Sequence, residues 1–475
     1  FVMIVGICTN EVWTMRELSM LFNSYVFLFQ FLPIVFLLFR ALHRFRTAAF
    51  LMIIFASLYF YAYWNSDLLY VIISSIALNY GLVKLLRARP RKWLLVIGIA
   101  VNLGILGYYK YAGFFVETIS DLFGFGLNIP NIMLPLAISF FTFQQVAYLV
   151  DTYRGETEGH SFLEYVWFIV FFPQLIAGPI VRHQEMFHQF RDKALLRLNM
   201  ENIEKGLTIF FIGLFKKTVI ADTLAHWVND GFSQSAQLNV VDGWITALAY
   251  TFQLYFDFSG YCDMAIGLAL LFNIRLPINF DSPYKALNIQ QFWQKWHMTL
   301  NRFLTHYVYI PLGGSRTGKK RTYLNIMIVF LISGLWHGAG WTFIFWGFLH
   351  GAASVICRMW KQLGLKMPRA LAWGLTFLFV VCAWVFFRAG SMEEAWNVLS
   401  AMARIDQLTF ALIWQNKYIL FGLFLLLLVV LFARNSIAIM NDHHAGWRRT
   451  LFVASLAAVA ILHLDQVSEF IYFNF

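Results

Sequence analysis

The sequence predicts an all-α protein that crosses a membrane many times. Three observations carry this expectation. Of 475 residues, 60% are hydrophobic and only 13% are charged, about half the charged share of an average soluble domain. Uncharged stretches long enough to cross a bilayer recur along the chain. Lysines and arginines gather in the short segments between them. With a mean hydropathy of +0.64, the chain cannot cover a globular surface with polar groups. That excludes a cytosolic enzyme, a disordered scaffold and a secreted disulfide-stapled domain. The 51 Phe, 21 Tyr and 17 Trp agree, because Phe partitions into lipid and Trp and Tyr collect at its interfaces.

The expected spans run in order. Leu21 to Phe39, Thr47 to Ser66 and Leu68 to Val83 come first, the last borrowing the snorkelling Lys84. Trp93 to Tyr109, Pro130 to Val150 and Tyr165 to Val181 follow. Gly206 to Ala221 is interrupted by Lys216 and Lys217, and Trp244 to Ile274 by Asp257 and Asp263. Tyr323 to Cys357 is long enough for two helices, with Gly338 and Gly340 near the break. Ala370 to Phe387, Tyr418 to Ala433 and Thr450 to Leu464 complete roughly 11–13 transmembrane or re-entrant helices. Residues 1–19 are too short for a span plus a loop and lack the pattern of a clear signal peptide. They are taken as an N-terminal extension without a role, and residues 20–475 as one transmembrane domain with its core at about 130–360.

Net charge is +11. In so apolar a chain this marks cytoplasmic loops rather than nucleic-acid binding. Arg40, His43, Arg44 and Arg46, then Lys84 through Lys92, and the run Arg316 to Arg321 are placed in the cytoplasm. The loop from Trp64 to Asp67 falls outside. Cys8, Cys262, Cys357 and Cys382 are scattered and form no CxxC, so neither a disulfide framework nor a zinc site is expected. No internal repeat is visible, which disfavours an inverted-repeat transporter.

The informative residues are the polar exceptions. Asp257 and Asp263 sit inside an apolar run, where a charge faces a cavity or a partner; the bland alternative is a membrane-surface loop broken at Ser259-Gly260. Asp281 or Ser282, followed by Pro283, can start a helix running from about Tyr284 to the His306 region. Trp293, His297, Leu300, Leu304 and Tyr307 would share its apolar face. The helix is too polar to face lipid and suits an in-plane or re-entrant position. His337 lies deep in the longest uncharged run, between glycines that leave room for a substrate. Imidazole can take and return a proton near neutral pH. His350, in the same run, is a weaker candidate. A lone buried histidine is usually only hydrogen-bonded, so this chemistry competes with a structural role. Metal binding is not expected, since no HExxH or Cys/His spacing occurs. The absence of a GxSxG elbow leaves a covalent serine enzyme unsupported.

Several segments together resemble the membrane-bound O-acyltransferase family, in the branch acting on alginate, peptidoglycan and cellulose. They are Met20-Leu21-Phe22-Asn23-Ser24, Phe27-Leu28-Phe29, Phe31-Leu32-Pro33, Leu134 to Phe140, Pro173 to Ile180, Tyr255 to Gly267, Phe292 to Leu300 and Gly334-Leu335-Trp336-His337-Gly338. Each is modest alone, but their order and spacing are specific, and they cover nearly the whole chain from Met20. The resemblance implies a ring of helices around a thin central funnel. It implies that His337 is the catalytic base and His297 a second functional histidine. Trp296 and Trp336 beside them, with Asp257 and Asp263, are candidates for binding substrate or lining its tunnel. His297, with nearby donors such as Trp296, could orient substrate or stabilise the oxyanion.

No bound cofactor is implied; the donor would be acetyl-CoA or another cytoplasmic acyl thioester. The acyl group would serve O-acetylation of an exported polysaccharide such as alginate, handed on by a periplasmic SGNH-type acetyltransferase with a serine nucleophile. The setting would be the inner membrane of a bacterium. Three other readings stand beside it: D-alanyl transfer to teichoic acid from a carrier protein, a polysaccharide or lipid transporter without chemistry, and a passive anchor for a periplasmic enzyme.

Overall fold

The computed structural model describes residues 20–64, 66–124, 126, 132–442, 446–464 and 471. The expected extension at residues 1–19 lies outside them, as does the His443-His444 pair. Every regular element among the described residues is helical. Six helices are long and apolar enough to cross a membrane: Arg46–Trp64, Ser66–Ala88, Lys92–Phe123, Val240–Leu271, Trp341–Gln362 and Arg369–Arg388. Phe27–Ala41 and Lys417–Phe432 are shorter apolar helices. The protein is therefore an all-α, multi-pass membrane protein. The larger count expected from sequence took in segments that fold as shorter or more polar helices. Tyr165 to Val181, for instance, becomes Phe162–Val170 and the single turn Phe172–Leu175, followed by irregular chain. Pro173 sits at the start of that turn, where its missing N–H is harmless.

Val240–Leu271 is the central element, and its spanning window is wholly buried in protein. It starts at Asn239, whose side chain accepts from the Val241 and Asp242 amides. It continues unbroken through Ser259 and Gly260, so the expected loop there does not form.

Its main neighbour is Met200–Phe215, which leads into a π-helical turn, Lys216–Ala221. Four glycines bring these two backbones together. A Cβ on Gly206 would lie 2.8 Å from the Gly267 carbonyl oxygen, and one on Gly213 would lie 2.5 Å from that of Gly260. The reciprocal approaches are 2.5 and 2.7 Å. Both pairs are seven residues apart, two helical turns, so one stripe faces the other in antiparallel register. Close approach of small residues is how helices associate where lipid removes the hydrophobic drive.

The same contact lets two lysines reach two aspartates. Lys216 Nζ is 2.6 Å from Asp263 Oδ2, and Lys217 Nζ is 2.8 Å from Asp257 Oδ1 and 2.7 Å from Asp222 Oδ1. Removing one partner from such a pair leaves an uncompensated charge, at a cost of about 3–5 kcal/mol. A side chain at Gly260 should force the helices apart and break the packing and both pairs together. Gly260→Leu is expected to destabilise the fold by at least about 1–3 kcal/mol, seen as a lower midpoint when detergent-purified protein is heated and scored by gel filtration.

Candidate active site

His337 is the last residue of helix Lys319–His337. The chain turns extended at Gly338, with φ −161° and ψ 149°, and the next helix, Trp341–Gln362, folds back against the first. The break expected at Gly338–Gly340 is thus where the chain divides. The glycines, however, do not leave room for substrate. A Cβ on Gly334 would strike the Phe343 carbonyl, and one on Gly338 would strike the Phe343 ring. They serve close packing of the helical hairpin.

Burial of His337 is nearly complete, at 2% exposure. Its Nδ1 lies 2.6 Å from the Ser333 carbonyl oxygen. A carbonyl only accepts, so Nδ1 carries the proton and Nε2 of the neutral ring carries the lone pair. That is the state a general base needs. Trp336, Trp346 and Phe387 pack around the ring, with centroids 4.9, 5.1 and 5.3 Å away.

The segment around His297 is not the continuous helix expected from its apolar stripe. It folds as Ile289–Lys295 and Met298–Leu304, and the chain breaks at Trp296-His297. Nor do Asp281 or Ser282 cap it: Asn288 does, accepting from the Gln291 amide. His297 takes φ +45° and ψ 52°, a left-handed conformation unusual for a residue with a side chain. Neighbouring chain holds it there. The Asp281 N–H donates to the Lys295 carbonyl, and the Met298 N–H to the Asn279 carbonyl. Asn279 Oδ1 also accepts from the Thr299 amide (3.2 Å) and hydroxyl (2.9 Å). His297 Nδ1, 3.1 Å from that same oxygen, must therefore donate to it. His297 is fully buried and likewise presents Nε2 as an acceptor. The two imidazole centroids are 6.3 Å apart, with the rings inclined at 72°.

The MBOAT family model, the membrane-bound O-acyltransferase family, matches residues 135–392, a span that includes both histidines. The chain is 42% identical to a peptidoglycan O-acetyltransferase of Helicobacter pylori, covering 97% of this chain and 98% of that protein. It is 40% identical to a probable alginate O-acetylase of Pseudomonas aeruginosa, over 81% and 75%. A teichoic acid D-alanyltransferase of Streptococcus thermophilus is 27% identical over 55% and 69%.

The chain belongs to the membrane-bound O-acyltransferase family. It is an O-acyltransferase, which sets aside the transport and anchor readings.

Within this acyltransferase the remaining candidates separate. Trp336 joins the two histidines, with its ring 6.1 Å from His297 and 4.9 Å from His337. Trp296 is buried among Phe280, Phe292 and Trp384. Asp257 and Asp263 are not part of the histidine cluster, since they turn to Lys217 and Lys216. The residues beside them face it instead. The Phe258 ring is 4.8 Å from that of His297, and Cys262 Sγ accepts from Asn279 Nδ2 at 3.3 Å. His350 receives a hydrogen bond on Nδ1 from the Trp293 indole, 3.2 Å away. Indole can only donate, so neutral His350 carries its proton on Nε2 and presents no basic nitrogen.

One group of metal-ligand type lies elsewhere: Asp151, Glu156 and His306 bring one ligand atom each within 4.8 Å of one another. Arg154 donates to His306 Nε2 at 3.1 Å and Arg182 lies 3.9 Å from Asp151, whose Oδ2 also accepts from Tyr307. Asp151 is thus engaged by Arg182 and Tyr307, and His306 by Arg154.

Sequence reasoning missed Asn279 and Thr299. Their signal is faint, since small polar residues next to a motif are common, and only the fold brings Asn279 to His297. Asn279→Leu keeps the size but removes the acceptor that orients His297. It is expected to lower acyl transfer by on the order of 10²-fold, whereas Asn279→Asp, which keeps an acceptor, should retain more. O-acetyl content of exported polymer at equal protein level checks the order.

Proposed function

We propose that the protein takes an acetyl group from a cytoplasmic thioester and passes it across the inner membrane for O-acetylation of an exported polysaccharide. The observation that carries the chemistry is the locked tautomer of His337, a buried imidazole whose Nδ1–H is held by the Ser333 carbonyl. An acceptor hydroxyl gives its proton to His337 Nε2 as its oxygen attacks the thioester carbonyl. The tetrahedral adduct collapses, the C–S bond breaks, and the imidazolium returns the proton to the departing sulfur. Rings of Trp336, Trp346 and Phe387 keep bulk water from competing.

His297 also presents an acceptor. In that tautomer it does not donate to an oxyanion, so we assign it to orienting the substrate through one of the substrate's own N–H or O–H groups. The donor is acetyl-CoA or another acyl thioester, and no resident cofactor takes part. The peptidoglycan and alginate relatives favour acetyl transfer to a polysaccharide. A periplasmic SGNH-type acetyltransferase would complete it.

His337→Ala is expected to reach the membrane at normal level and to lose about 10²–10⁴-fold of O-acetylation, measured by mass analysis of exported polymer from cells carrying each form. Retained acetylation would remove His337 as the base. In purified membranes, acyl loading from a D-alanyl carrier protein, with none from acetyl-CoA, would overturn the choice of acetyl.

A further inference from the structure

A helix that stops inside a protein leaves its last carbonyls without backbone partners. The helix bearing His337 has this problem. Its final backbone bond runs from the Gly338 N–H to the Gly334 carbonyl at 3.3 Å, so the carbonyls of Leu335, Trp336 and His337 need other donors. Each buried carbonyl left unpaired would cost about 1–3 kcal/mol. A frayed last turn would also release His337, because the Ser333 carbonyl that fixes its tautomer belongs to that turn.

The donors come from one place in the spanning helix Lys92–Phe123, a π-helical turn at Gly107–Tyr111. The Tyr111 hydroxyl donates to the Leu335 carbonyl at 2.8 Å. The Lys110 ammonium donates to the Trp336 carbonyl at 2.5 Å, to Ser139 Oγ at 3.3 Å and to the His337 carbonyl at 3.5 Å. Successive residues of an α-helix diverge by about 100°. Here two neighbours in the π turn reach successive carbonyls of one helix end. From Trp93 to Val116, Lys110 is the one charged residue. A charge at that depth is costly and marks a function. Among the described residues it forms no carboxylate ion pair; its charge faces the negative end of the His337 helix dipole.

From this geometry we infer that Lys110 and Tyr111 are positioning residues, a clamp on the last turn of the His337 helix that holds the base in place. The inference rests on the reading of His337 as the base. It does not make Lys110 a catalytic residue. An ammonium has three N–H groups, and three acceptors already take them.

The test uses the full chain, purified in lipid nanodiscs, with hydrogen-exchange mass spectrometry over residues 333–340. Polymer O-acetylation is measured in cells at matched protein level. Lys110→Met fills the space without donors. It is expected to speed amide exchange in this turn by about 10-fold or more, to leave other helices unchanged, and to lower acetylation about as much. Lys110→Arg restores charge and donors and should return both readouts to within about threefold of wild type. If Lys110→Met does not accumulate as folded protein, Tyr111→Phe, which loses one hydroxyl, should show the same local change at smaller size. Wild-type exchange across 333–340 in the Met and Phe variants would overturn the clamp, as would wild-type acetylation in both. His337→Ala separates the two readings: it should lower acetylation by about 10²-fold or more, and adding Lys110→Met to it should still speed exchange across 333–340 relative to His337→Ala alone. Retained acetylation there would remove the base, while the exchange result would still decide the clamp.

Discussion

The pairing of Lys216 and Lys217 with Asp263 and Asp257 is the constraint on which the centre of this protein depends. Charges in a dry helix bundle must be matched within a few ångströms. These two matches are made by neighbouring lysines on one element and by aspartates six residues apart on another. Only one register of the two helices satisfies both. The glycine stripe selects the same register, since Gly213 must face Gly260 and Gly206 must face Gly267. The central helix is therefore fixed along and about its axis. Phe258 and Cys262 each follow or precede a paired aspartate by one residue, about 100° around the helix. Fixing the aspartates thus directs Phe258 and Cys262 toward His297 and Asn279. The ion pairs do no chemistry, yet they place one wall of the site.

The other wall depends on where helices end. His337 suits the role proposed for it because its helix stops immediately after it, and His297 because it occupies a break between two short helices. Each ending exposes backbone groups that neighbouring chain must satisfy. At His297 this falls to Asn279 and Asp281. A functional histidine in a continuous helix would need no such support, but the helix's own side chains would surround it. Irregular backbone at depth is tolerable only inside protein. The site accordingly sits where several helices enclose two chain breaks.

Much of this was legible in the sequence. The boundaries of spans such as Arg46–Trp64 and Arg369–Arg388 follow from uncharged runs, and the division at Gly338–Gly340 from a run too long for one helix. Both histidines stood out as polar exceptions in motifs with specific order. The break at His297 was not legible, because Trp293, Leu300, Leu304 and Tyr307 keep helical spacing across it. Contacts from Asn279 and Asp281, more than a dozen residues earlier, impose the break, and no local pattern encodes them. Composition likewise misassigned the glycines beside His337, since a missing side chain looks the same whether the space holds a ligand or Phe343. For Asp257 and Asp263 the expense of a buried charge was read correctly, but the partners proved to be lysines already visible as an interruption earlier in the chain, 47 residues before Asp263 in the case of Lys216.

Three fully or almost fully buried histidines lie close together, and residue type alone does not rank them. A neutral imidazole has one N–H and one lone pair, so the partner on Nδ1 decides what Nε2 can do. A backbone carbonyl and an amide oxygen occupy that position at His337 and His297, which makes both Nε2 atoms acceptors. An indole N–H occupies it at His350, which makes Nε2 a donor and removes the ring from any role as base. That indole belongs to Trp293, four residues before His297 in the same Phe-Trp-Gln-Lys-Trp-His segment. One stretch of sequence therefore supplies a second acceptor beside the proposed base, His337, and disqualifies His350 as its rival. A proton leaving a substrate hydroxyl in this cluster has its receiving nitrogens on His337 and His297, and His337 alone is carried on a helix end that the spanning helix Lys92–Phe123 holds from outside.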